Sequence, residues 1–170
     1  MNAVKFLKGI QYALKVLCAV VICSLTVILA LQIVKRNVFL SSFTWAEELS
    51  TISMVWITFL GAAMATSTDQ HTRIDFFIRK LPFKLYQGIL IFDNIACIAF
   101  CVIISKYAWK AIGNNLNNLT PALKLPVSVN YLGMALGLIL MVLFFVVQCV
   151  LEVQKLRGKD VSKIEEELNK

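Results

Sequence analysis

Charged side chains are scarce in this sequence. They make up 16% of its 170 residues, against about 25% in soluble domains. Hydrophobic residues supply 59%. A soluble core of this size has no room for so much apolar surface, which must instead face lipid or other membrane helices. Histidine is scarcer still, with His71 alone. That excludes a bis-histidine haem within the chain and leaves a histidine-based triad without supporting Ser and Asp geometry; a loop histidine near a membrane surface is the plainer reading. No cysteine lies in a loop. Cys18, Cys23, Cys97, Cys101 and Cys149 all sit inside apolar stretches, so no disulfide framework is implied and they read as small packing residues. Cys97 and Cys101 are one helical turn apart, but no further ligand completes a metal or redox site at suitable spacing. Also missing are a phosphate loop, a dinucleotide fingerprint, zinc spacing, an internal repeat and a Gly/Ser-rich linker. Nothing here marks an enzyme.

What the chain has in plenty is long apolar runs. Four are separated by polar segments, and each approaches the roughly 20 helical residues that cross about 30 Å of hydrocarbon. They predict an all-α integral membrane protein, one membrane domain over 1–170, with spans at about 14–35, 45–67, 86–109 and 129–152. The first run, Val16 to Val34, follows Lys5, Lys8 and Lys15 and so resembles a signal peptide. It is longer than a typical h-region and no small-x-small cleavage site precedes Lys35, so an uncleaved span is expected. The second run opens on Thr44-Trp45-Ala46-Glu47, a capping box in which Thr44 and Glu47 would satisfy orphan backbone donors. Ser128, two residues after Pro126, is a candidate cap for the last run. Trp45 and Trp56 are expected as membrane-interface anchors.

The formal net charge of +7 belongs to loops rather than to nucleic acid, because the basic residues are scattered between apolar runs. With the N-terminus inside, the inner segments hold Lys5, Lys8, Lys15, Arg73, Arg79, Lys80, Lys84, Lys155, Arg157, Lys159, Lys163 and Lys170, and the outer ones only Lys35, Arg36, Lys106, Lys110 and Lys124. That asymmetry favours both termini in the cytoplasm. Between spans two and three, Ile74, Phe77, Ile78 and Leu81 recur at helical spacing, with Arg73, Arg79 and Lys80 mostly elsewhere around the helix. This predicts an interfacial amphipathic helix at about 73–82, lying on lipid and ended by Pro82. Residues 153–170 form a charged tail.

Polar residues inside spans carry the functional hints. Glu47, Thr51, Met54, Thr58, Gly61 and Ala65 fall near one helical face of span two. Small and hydroxyl residues let helices approach closely, so the stripe suits either internal packing or docking of a second membrane subunit. Glu48, about 100° round the helix from Glu47, is free to pair with a basic residue such as Arg36. Gly133 and Gly137 form a GxxxG, a mark of close packing. Asp93 is the costliest residue in the hydrocarbon region. A buried hydrogen bond or a place near the interface explains it; an ion- or proton-coupling role would make the chain a self-sufficient small carrier. A membrane-anchor subunit of another complex is a third possibility.

The order of several short motifs then points to a family. Arg36-Asn37-Val38-Phe39, Trp45-Ala46-Glu47-Glu48-Leu49, Trp56, Phe59-Leu60-Gly61-Ala62-Ala63, His71-Thr72-Arg73-Ile74-Asp75, Leu81-Pro82, and Thr120-Pro121-Ala122-Leu123-Lys124-Leu125-Pro126 before Tyr131 together resemble the small membrane subunit, the DctQ or Q type, of tripartite ATP-independent periplasmic (TRAP) transporters. The resemblance covers roughly residues 10 to 155. Where the family often has basic residues before the histidine, this chain has Thr66-Ser67-Thr68-Asp69-Gln70, and no role of such residues carries over. The resemblance implies a bacterial inner-membrane protein with four spans and both termini inside, forming a heterodimer with a large membrane subunit. That partner would hold the substrate and sodium sites, leaving this subunit with no cofactor. A periplasmic substrate-binding protein would deliver an organic acid, of the C4-dicarboxylate or sialic-acid class. This chain would enlarge the fixed scaffold of a sodium-driven importer, and the docking face would be Glu47, Glu48, Thr51, Thr58, Gly61 and Ala65.

Overall fold

In a computed structural model the described residues are 2–39, 43–67 and 83–156. They form four helices: α1 (Asn2–Phe39), α2 (Thr44–Ser67), α3 (Phe83–Asn114) and α4 (Ser128–Leu156). Each contains a stretch long and apolar enough to cross a bilayer, which is the all-helical, four-span architecture expected. The segment expected as an interfacial helix, with Arg73, Arg79 and Lys80, lies outside the described residues. So do His71 and the tail beyond Leu156.

The helices overrun the expected spans. The 38 residues of α1, at about 1.5 Å each, reach roughly 57 Å, nearly twice the hydrocarbon thickness. Apolar runs delimit only the lipid-facing part of a helix. The backbone continues through Lys8, Lys15, Lys35 and Arg36, because helical hydrogen bonds remain the best partners for peptide groups at the membrane surface and long cationic side chains reach outward from it.

α4 is the centre of the bundle. One face packs on α3 and another on α2, while α1 leans mainly on α2. The α4 glycines explain the close approach to α2. A Cβ at Gly133 would lie 2.7 Å from the Trp56 ring, and one at Gly137 would lie 2.5 Å from the Phe59 Cβ. The GxxxG is therefore spent on packing inside the chain. Trp56, expected as an interface anchor, is a packing residue instead: its indole sits over Gly133 and its Nε1 donates to the Val129 carbonyl at 3.1 Å. An indole N–H inside a helix bundle needs such an acceptor. Leu14, Cys18, Leu60 and Phe144 join α1, α2 and α4 in one buried cluster.

The α3–α4 seam follows a seven-residue period. Gln87, Asn94, Cys101 and Ala108 are all buried, as expected where one stripe of an antiparallel helix meets its partner. Cys101 packs with Leu138 and Phe145 of α4. At the start of α4, Ser128 ties the two helices together rather than capping its own: its hydroxyl donates to the Ile112 carbonyl of α3 at 2.8 Å.

Hydrogen bonds fix the directions of the helices. Gln11 meets Ser67 and Gln32 meets Glu47, so α1 and α2 are antiparallel. Trp56 meets Val129 and Gln148 meets Thr66, so α2 and α4 are parallel. The start of α1 and the end of α4 thus lie at one end of the bundle. The other end carries the start of α2 and the loop between α3 and α4.

Candidate functional site

The stripe on α2 is uncovered. Glu47, Thr51, Met54 and Thr58 are exposed, and Gly61 and Ala65 are only partly covered. Open space lies above Gly61, where an added Cβ would meet nothing within 4 Å. The hydroxyls on this face do not reach outward. Thr51 donates to the Glu47 carbonyl at 3.0 Å and Thr58 to the Met54 carbonyl at 2.7 Å, both one turn back. Tied this way, a threonine presents its methyl group, and the stripe becomes a smooth apolar strip that a helix can approach closely.

Glu48 is not part of that face. Its carboxylate reaches the loop at the same end of the bundle, where Oε1 accepts from the Ala122 amide and Oε2 from the Leu123 amide, each at 2.8 Å. The expected partner, Arg36, instead lines a small pocket with Glu47 and Gln32. The loop is compact: Thr120 N–H donates to the Leu125 carbonyl and Val127 N–H to the Asn118 carbonyl, both at 2.8 Å. Lys124 takes a left-handed backbone, with φ at 52°. Two amides turned toward one point form a site for an anion, and Glu48 fills it. The sequence signal was the TPALKLP turn itself, which has amides left over once its own bonds are made.

Glu47 is also committed. Its Oε1 accepts from Gln32 Nε2 of α1 at 3.3 Å. Thr44 opens α2 as expected, yet it is already helical, and the Ala46 amide bonds back to Phe43. The anticipated box between Thr44 and Glu47 gives way to a tie between helices. Trp45 is partly exposed beside Phe43, whose ring lies under the Lys35 ammonium at 3.4 Å. A surface tryptophan near a cation suits the anchoring role. Trp109, 66% exposed near the same end, is a second anchor that was not anticipated from sequence; Lys106 and Lys110 beside it were the signal.

Asp93 is exposed, and among the described residues it takes no hydrogen bond. The buried polar residue is its neighbour Asn94, 1% exposed. Successive residues point about 100° apart on a helix, so only one of the pair faces α4. Between α2 and α3, which form no seam with each other, runs an apolar groove of about 760 Å³ floored by α4.

These features define a small, helical, multi-pass membrane protein with one helix face left open, and among the described residues no group of His, Cys, Asp and Glu side chains could hold a metal ion. Comparison with known proteins names the class. The family model of the DctQ component of tripartite ATP-independent periplasmic transporters matches residues 25–155. A small permease protein assigned to a TRAP transporter in Haemophilus influenzae is 31% identical over 132 residues, covering 77% of this chain and 81% of that protein. The sialic acid TRAP transporter permease protein SiaT of Haemophilus influenzae strain 86-028NP is 38% identical over 58 residues, 34% of this chain and 9% of that protein. The chain belongs to the DctQ family of TRAP transporter small permeases; it is a transporter component, not an enzyme.

Proposed function

We propose that this chain is the fixed scaffold subunit of a sodium-driven importer of organic acids, paired as a heterodimer with a large transport subunit in the bacterial inner membrane. A periplasmic binding protein delivers the substrate, and both chain termini are cytoplasmic. The observation that carries the pairing is the uncovered α2 strip of Thr51, Met54, Thr58 and Gly61, opposite a face that α1 and α4 already fill. The sialic acid permease relative supports it: its matching 58 residues are 9% of that protein, so a segment of this kind is there joined to a much longer permease. That relative's name also supports a sialic-acid-type substrate, with C4-dicarboxylates the other class. The surplus of basic residues in the inner segments supports the orientation. Sodium and substrate bind the large subunit in this reading.

Uptake measures the pairing. Cells holding the large permease and the binding protein take up the organic acid only when this chain is present. Restoring wild-type chain restores uptake, while Gly61→Trp, which blocks the strip, does not. Uptake at the wild-type rate without this chain would contradict the proposal.

A further inference from the structure

The small pocket between α1 and α2 sets opposite charges side by side. Leu29, Gln32, Ile33 and Arg36 of α1 and Glu47 and Ser50 of α2 line about 300 Å³, far more than the roughly 30 Å³ of one water. Gln32 is 8% exposed. Its Nε2 donates to Glu47 Oε1 at 3.3 Å, but its own Oε1 is buried without a hydrogen-bond partner. A buried acceptor left unmatched is costly. The second carboxylate oxygen of Glu47 accepts nothing among the described residues. Ser50 donates back to the Ala46 carbonyl at 2.6 Å, which leaves its hydroxyl oxygen able to accept. Arg36, one turn beyond Gln32, is exposed and makes no ion pair or hydrogen bond among the described residues. The pocket therefore has acceptors that lack a donor, beside a cation that lacks an anion.

Its depth suits a lipid headgroup. Gln32 and Arg36 lie on either side of Val34, where the apolar run of α1 ends, and the flanking Leu31, Ile33 and Val34 are exposed. The hydrocarbon gives way to headgroups at such a boundary. From this juxtaposition we propose that the pocket holds a phospholipid headgroup of the ethanolamine type, a primary ammonium joined by a short link to a phosphate. The ammonium donates to Gln32 Oε1 and to the Glu47 carboxylate, and the phosphate pairs with Arg36. Chemistry selects among occupants. A choline headgroup brings the same charges but no N–H for Gln32. A glycerol headgroup brings hydroxyl donors but no cation for Glu47. A lysine from a partner protein satisfies Gln32 and Glu47 and leaves Arg36 without an anion. Free ethanolamine phosphate has the right groups but gains nothing from the apolar side chains that flank the pocket. The inference needs no partner subunit and stands apart from the pairing proposed above.

The full-length chain, extracted in mild detergent with any subunit that stays bound to it, is offered ethanolamine, choline and glycerol phospholipids of identical acyl chains. Native mass spectrometry counts the lipid retained. The ethanolamine lipid is retained about tenfold over the other two, a ratio within reach of one charge-assisted hydrogen bond. Arg36→Gln and Gln32→Leu each lower its retention about tenfold and leave the choline lipid as in wild type. Arg36 is exposed, so circular dichroism of Arg36→Gln matches wild type and the variant reports on binding rather than folding. Equal retention of the three lipids overturns the inference, as does unchanged selectivity in Arg36→Gln. Ethanolamine phosphate at the concentration of the lipid leaves the lipid in place; full displacement would assign the pocket to a solute and overturn the lipid reading. Loss of the ethanolamine lipid when the large permease binds would give the pocket to protein and overturn it too.

Discussion

Gly137 is the position where one atom matters most. A Cβ there would meet both the side chain and the backbone of Phe59 at under 3 Å, so the cost is a shift of the whole of α2 rather than a rotamer change. Overpacking of this kind costs about 1–3 kcal/mol. Gly137→Leu is therefore expected to lower the detergent melting temperature sharply, while the same change at Gly88, with open space above it, leaves it nearly unmoved. Glu48 is the second such residue. Glu48→Ala orphans the Ala122 and Leu123 amides, and hydrogen bonds to a charged group contribute about 1.5–3 kcal/mol each. Amide exchange at both Ala122 and Leu123 should rise in Glu48→Ala, whereas Glu48→Gln keeps a single carbonyl acceptor and protects only one of the two amides; no change in either variant would show that the loop holds itself. Residues of this kind were only half legible in the sequence. The GxxxG announced close packing but not its partner, and Trp56 carried two compatible roles, anchor and core. Asp93 and Asn94 could not be told apart without knowing which of them faces α4.

At the scale of elements, the ends of α2 illustrate how neighbouring helices supply what a helix lacks. Its last carbonyls have no intrahelical donors. Gln11 of α1 donates to the Ser67 carbonyl at 3.0 Å, and Gln148 of α4 donates to the Thr66 carbonyl. In a membrane an unsatisfied carbonyl is costly, so these glutamines hold the bundle together at one end as Glu48 does at the other. Gln148→Leu keeps the size of the side chain and removes the donor. It is expected to destabilise the bundle by about 0.6–2 kcal/mol, the range of interhelical hydrogen bonds in membranes, read as a lowered midpoint in denaturant titration. A midpoint equal to wild type would contradict the tie. The four spans were legible because a water-soluble fold seldom has room for apolar runs of such length. Helix ends were not, since a helix outlasts its apolar stretch: α1 runs from Asn2 to Phe39 although its apolar run is Val16 to Val34. Cap signals misled for a related reason. Ser128 and Glu47 each had a local partner on offer and took one from another helix.

For the whole molecule, the arrangement is lopsided. α4 is wrapped on two sides, α1 leans on α2, and the outer face of α2 and the groove beside α3 stay open. A self-sufficient bundle would bury its small residues and its carboxylate against its own helices. This one aims Gly61, Thr58 and Asp93 outward, which suits a subunit completed by another. The polar stripe on span two was the sequence feature that marked this face, and the structure leaves Thr51, Met54 and Thr58 of it exposed. The groove was invisible there, because it depends on α2 and α3 both packing on α4 and not on each other. The measurement that bears most directly on the central claim is purification of an affinity-tagged chain from membranes that also hold the large permease and the binding protein. The account predicts that the large permease is recovered with it in equal amounts. Recovery of the chain alone, from membranes in which transport is active, would contradict it.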